Sequence, residues 1–241
     1  MARKPSQKSD ASAAPSGDKP ARERIIAAFM ALVAEKPIEQ IGFSEIARNA
    51  GVSLSELRGH FGSTLAILAA QVKETDRTVL AGAADDMAEE PPRERLFDVL
   101  MRRLEVLAPH KAAVRSLTRS AGRNPGLAFA LNGLAVRSQQ WMLTAADIDA
   151  AGPRGMLRAQ GLAVMFASVL RTWVDDDDPG HARTMAALDR ALARGQRWSS
   201  FLDDLCRFVP RGGCLPLRRR RRRRNEADRD LDLGDEEPIP V

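Results

Sequence analysis

From Ala21 to about residue 209, apolar side chains return every three to four positions, and the pattern is broken repeatedly by Pro and Gly. That period belongs to helices with one buried face. No stretch sustains the strict alternation of a half-buried strand, so the pattern restricts the chain to an all-α fold. The absence of Tyr and the 5% aromatic content agree, because sheets draw on aromatic and β-branched residues. The first predicted helix covers 21–36, with Ile25, Ile26, Phe29, Leu32 and Val33 on one face, and Pro37 stops it. A short second helix is expected at 44–50 with Ser44 as its N-cap. A third starts after Ser53 and ends near His60-Phe61-Gly62. Ser63 or Thr64 caps a longer fourth helix. Further helices are expected at 92–108, 110–121, 126–146 and 154–174. Two more come after these, one begun by Asp178 as N-cap with Pro179 at the first helical position, the other over 196–209. The 154–174 segment is apolar almost all round, which places it centrally or in an interface.

Several function classes fall away. Cys206 and Cys214 make neither a disulfide framework nor a four-Cys zinc site, and His60, His110 and His181 have no metal-ligand spacing. The Asp175–Asp178 cluster reads as helix capping, since acids favour a helix N-terminus, and no second ligand group supports a cation. Neither a metal nor a cofactor is expected. No Ser/His/Asp or Cys/His arrangement, phosphate-binding glycine loop or paired-carboxylate motif stands out, which points away from an enzyme. The longest nearly apolar stretch, Gly161 to Leu170, is too short to cross a bilayer. The first twenty residues show no apolar signal segment, so a cytoplasmic protein is expected.

Charge is divided unevenly. Of the formal +5, residues 1–20 and 210–241 hold +2 each, leaving +1 for everything between. Arg218 to Arg224 is an unbroken run of seven Arg, followed by an acidic stretch from Glu226 to Glu237. So dense a run is expected to be disordered. It reads either as a solvated tail that partly neutralises itself or as an arm for nucleic acid or an anionic membrane. Four segments result: a disordered arm (1–19), a small helical head (20–64), a larger helical body (65–209) and the tail (210–241).

The most informative segment runs from Phe43 to Phe61. Two short helices meet at Gly51-Val52-Ser53, where Gly51 supplies the positive φ that a tight turn needs. Ser53 followed by Glu56 is a capping-box pattern. Ile46, Ala47, Val52 and Leu57 can pack with the first helix into a small core. The third helix is then projected outward, as entry into a DNA major groove requires.

Here the sequence resembles the TetR family of transcription regulators. The resemblance lies in the apolar helix Ile25–Val33, Glu45-Ile46-Ala47, Ala50-Gly51-Val52-Ser53, Leu57 and His60-Phe61-Gly62-Ser63, in order and at the family's spacing. It implies an N-terminal three-helix helix-turn-helix domain and a helical ligand-binding and dimerisation domain. Ser44, Arg48, Ser53, Leu54, Ser55, Arg58, His60 and Thr64 take the positions of DNA contacts. The chain departs from the family where Lys, Gly and Thr commonly follow the capping Ser. Leu54, Ser55 and Glu56 stand there instead, and Thr64 replaces a common Lys. Residues 21–62 carry five basic and five acidic side chains, a net charge of zero. Phosphate neutralisation supplies much of DNA affinity, so such a head needs help from the flexible arms.

The C-terminal half is also similar to the ubiquinone-biosynthesis accessory lipid-binding family, which shares this fold. The likeness lies in Arg95 to about Leu117, Trp141 to Leu170, and Asp175 to Gly195. It implies an alternative, a lipid carrier that does not bind DNA. The last helix, 196–209, carries the stripe Trp198, Phe201, Leu202, Leu205 and Phe208, which reads either as a face docked on its own domain or on a dimer mate, or as a membrane-surface contact that would serve such a carrier. The head motif is the sharper signal. The chain is therefore expected to be a ligand-responsive repressor that binds a palindromic operator as a homodimer. Leu104, Trp141, Met142, Met165, Phe166 and Trp173 are the expected lining for a small apolar ligand or lipid. Helices 154–174 and 179–194 are expected to form the dimer surface.

Overall fold

The computed structural model describes residues 20–82 and 89–208, with side chains described as far as Gly195. The expected arm (1–19), the tail with its Arg218–Arg224 run, and the side chains of the Trp198–Phe208 stripe lie outside the described residues. The chain divides into a unit ending at Trp198 and another beginning at Ser199. The head and all of the body up to Trp198 belong to the first unit.

Among the described residues the regular structure is helical throughout. The head comprises α1 (Ala21–Glu35), α2 (Phe43–Ala50) and α3 (Leu54–His60). The body comprises α4 (Thr64–Ala81), α5 (Pro92–Leu107), α6 (Lys111–Arg123), α7 (Pro125–Ala145), α8 (Gly152–Val174) and α9 (Ala182–Phe208). Local chemistry sets most of the ends. The Ser53 and Ser63 hydroxyls accept hydrogen bonds from the amides of Glu56 and Ala66, each at 3.1 Å, and Asn124 caps α7 through the Leu127 amide at 3.0 Å. Pro92 and Pro125 open α5 and α7, where a missing N–H costs nothing. At the start of α8, Gly155 lies against the chain at Ala150, so closely that a Cβ would meet backbone atoms at 2.0–2.2 Å.

Three expectations change. Ser44 is not the cap of α2: the helix starts one residue earlier, Gly42 is its cap without a side-chain bond, and Ser44 is exposed within the first turn. The C-terminal helix is one element, not two. Gly195 costs a helix only about 1 kcal/mol relative to Ala, and no Pro falls there to force a break. Pro179 is not the first helical residue. It forms a turn with Gly180, and the helix begins three residues later, after His181 at φ 51°. The acids still cap it. Asp178 accepts the Ala182 amide at 3.1 Å, and Asp176 accepts the Thr184 amide at 2.9 Å and its hydroxyl at 2.6 Å.

Two apolar cores result. The head core is built from Ile25, Phe29, Val33, Ile46 and Leu57, and it extends into Ile67, Leu68 and Ala70 of α4 and Ala113 of α6. The body core gathers Val79, Leu100, Leu104, Met142, Phe166, Trp173 and Leu188. Thus α4 contributes to both: its first turns belong to the head, its last to the body. α6 and α7 are shared in the same way, through Ala113 and Val114, and through Leu131 and Val136. Ser116 of α6 donates to the Lys36 carbonyl at the end of α1 (3.2 Å), binding head to body.

Candidate functional site

The turn between α2 and α3 is set by Gly51, whose φ of 62° and ψ of 41° lie in the left-handed region. Arg24 reaches from α1 to the end of α2 and donates to the carbonyls of Ala50 (3.3 Å) and Gly51 (3.2 Å). A cation at the carbonyl end of a helix is favourable, and this one also fixes the turn to α1. Leu57 is buried in the head core and Phe61 closes it, with the Arg22 guanidinium 5.6 Å from the Phe61 ring centre. These anchors leave the opposite side of α3 in solvent.

On that open side the structure brings together most of the residues singled out for DNA. Ser44 and Arg48 of α2, Ser53, and Leu54, Ser55, Arg58 and His60 of α3 are all exposed; Thr64 at the start of α4 is half-buried. Two of them are already engaged: Ser53 caps α3, and Arg58 donates to the Gly62 carbonyl at 3.3 Å. The head's other cations are mostly occupied as well. Lys36 pairs with Glu45 at 2.6 Å, and Arg24 and Arg22 hold the turn and Phe61. Arg48 has no ionic or hydrogen-bond partner among the described residues. The capping box is half formed: the Ser53 hydroxyl takes the Glu56 amide, while the Glu56 side chain stays exposed at the first turn of α3. The site is therefore a shaped, projecting face with little net positive charge.

The residues proposed to line a ligand site divide differently. Leu104, Met142, Phe166 and Trp173 are buried in one cluster, and Met165 packs against it. Trp141 does not join them; it is 59% exposed on the outer side of α7. What sequence reasoning missed is the polar group inside this core. Arg103 of α5 donates to Asp76 of α4, which also accepts the Ser138 hydroxyl of α7 at 2.7 Å. The Arg103 guanidinium lies 5.8 Å from the Phe166 ring centre. The signal was present: Arg103 falls on the same helical stripe as Leu96, Leu100 and Leu107, and Asp76 on that of Leu68 and Val72.

The expected dimer surface also has a distinct shape. α8 buries Leu162, Phe166, Val169 and Trp173 inward but leaves Leu157 and Val164 each 60% exposed on its outer face. Met185 of α9 is exposed too, and a groove of about 590 Å³ runs between the helices past Ser168, Thr172, Ala187 and Arg190. Among the described residues no His, Cys, Asp and Glu group could hold a metal, and no helix is long and apolar enough to cross a membrane.

Neither a protein-family model nor a curated protein matches the chain. Solved structures do. A TetR transcriptional regulator from Nitrosomonas europaea is 21% identical, with 74% of this chain and 99% of that one covered at a TM-score of 0.58. A TetR regulator from Rhodococcus sp. RHA1 is 22% identical over 73% and 95% of the two chains, at 0.52. A third, from Streptomyces coelicolor, is 17% identical over 79% and 88%, at 0.51. At such identities the likeness establishes the fold.

Proposed function

We propose that this chain, which has the fold of the TetR-family transcriptional regulators, binds DNA through α2 and α3 and changes that binding when a small molecule enters its body. The observation that carries the reading is the outward face of α3. Leu57 and Phe61 are fixed in the head core while Leu54, Ser55, Arg58 and His60 stand in solvent. A helix held this way can lie in a major groove, with Arg48 on the phosphates. The pairing of so many head cations within the protein means that affinity depends on charge supplied by the arms.

The apolar outer face of α8, with Leu157 and Val164, and the neighbouring Met185 of α9 supports a homodimer formed by a second copy. Two heads then read half-sites about one helical turn apart. Ligand in the body weakens DNA binding, and DNA weakens ligand binding by the same factor.

The test is fluorescence anisotropy with duplexes tiled across the gene's own genomic neighbourhood, at two salt concentrations. A sequence-preferring, salt-sensitive association supports the regulator. The near-neutral head also favours a second reading, a lipid carrier without DNA binding. Uniformly weak association with every duplex, together with lipid found by mass spectrometry on the purified chain, decides for that reading.

A further inference from the structure

Arg103 is 6% exposed and sits where four helices meet: its own α5, Asp76 on α4, Ser138 on α7 and Phe166 on α8. Stability alone does not account for it. A buried ion pair usually gains no more than a well-packed apolar pair of the same volume, because both charges must be taken out of water. The pairing is also incomplete. Asp76 is engaged through Nη1, while the Arg103 Nε lies buried with no acceptor. A buried guanidinium N–H in that state is a vacant charged donor for a carboxylate oxygen. Phe166 stands beside the guanidinium, in a core that also holds Leu104 and Met142 and has Met101 and Met165 packed against it. Thioether side chains repack readily around an inserted apolar chain.

We propose that Arg103 reads the anionic end of the ligand, and that the ligand is a carboxylic acid on an apolar body that competes with Asp76 for this guanidinium. The proposal rests on the ligand-responsive reading above and names its ligand class. One cation cannot hold two carboxylates in an apolar core without leaving net negative charge there, so the incoming acid displaces Asp76. Asp76 belongs to α4, whose first turns (Ile67, Leu68, Ala70) are part of the head core. Displacing it shifts α4, and with α4 the head.

The test is calorimetric titration of the full chain with hexanoate, decanoate and tetradecanoate, each against the corresponding uncharged amide. At least one acid should bind about tenfold or more tightly than its amide, the difference one charge-assisted hydrogen bond supplies. Asp76→Asn keeps a partner for Ser138 and removes the competing charge, so it should tighten acid binding by about tenfold. The paired change Asp76→Leu with Arg103→Met keeps the core filled and folded, and should bind acid and amide alike. Equal binding of acids and amides by the parent chain, no binding by any acid, or unchanged or weaker acid binding by a folded Asp76→Asn overturns the proposal. DNA binding is scored separately. Arg103-dependent acid binding by a chain that binds no duplex leaves the site standing and removes the regulator. Specific DNA binding without acid binding does the reverse.

Discussion

The head and the body solve the same packing problem in different ways. Every buried residue of α1, α2 and α3 is apolar, and no buried polar residue among those described precedes Thr75. The body core, by contrast, buries Asp76, Arg103, Ser138 and Gln139 among its Leu, Val and Phe side chains. An apolar core of interdigitated side chains has one good arrangement and holds its shape. A core with an incompletely satisfied ion pair has a reason to rearrange when a better partner arrives. In the proposed function, presentation and response are separated along the chain, and α4 contributes to both cores.

The largest expected effect tests the body side of this contrast. Asp76→Ala strands a buried guanidinium and should cost about 3–5 kcal/mol of unfolding free energy in a denaturant titration. The paired Asp76→Leu with Arg103→Met should be close to the parent or more stable. If the single change costs under about 1 kcal/mol, the pair is effectively solvated and the contrast between the cores disappears.

The head side is tested by Leu57→Ala, which removes the α3 anchor. Its cost is the ordinary one for a buried leucine, about 2–5 kcal/mol, with no partner substitution able to restore it. Its DNA affinity should fall even where the protein remains folded, because α3 is no longer held outward. A change that destabilises without altering DNA affinity would mean that α3 is not the presented element.

Legibility in the sequence divides along the same line. Most of the head could be read from local rules, Gly51 for a left-handed turn and Ser53 for a cap, although Ser44, a capping residue by type, lies within the first turn of α2. The body's helices were readable from periodicity, but their facing was not. Trp141 looks like lining by type and is exposed, since a long helix flanked by several others admits more than one buried face. Pro179 reads as a helix start in isolation, yet the Asp176–Thr184 bonds draw the true start three residues on. The Asp76–Arg103 pair joins residues 27 apart, and no local rule marks such a partnership beyond a charge on an apolar stripe.

The Asp176 cap gives a pH test at the edge of the body. Its carboxyl is held below its ordinary value of 3.8, first by the Thr184 hydroxyl and then by the amides of Thr184 and Asp178, against the opposing effect of burial. A depressed folded-state pKa gives stability that is fully present above the ordinary carboxylate range and is lost as pH falls through the lowered value. Asp176→Asn should therefore be less stable than the parent at neutral pH, and the gap should close on acidification below about pH 4. A gap that persists into strong acid would assign the effect to packing instead of charge. The head core offers no buried titratable group for a comparable test.

The smallest effect probes the head's function most directly, because its two readouts have opposite signs. Glu56 lies exposed in the first turn of α3, where a negative charge favours the helix by about 0.3–1 kcal/mol but faces any phosphate that approaches. Glu56→Gln should therefore lower thermal stability slightly while tightening DNA binding severalfold at low salt, with the gain shrinking as salt rises. A head that serves only as structure would show the loss without the gain. If DNA affinity is unmoved at low salt, α3 does not meet the duplex at its N-terminal end, and the near-neutral face is no obstacle because it is not the face in use.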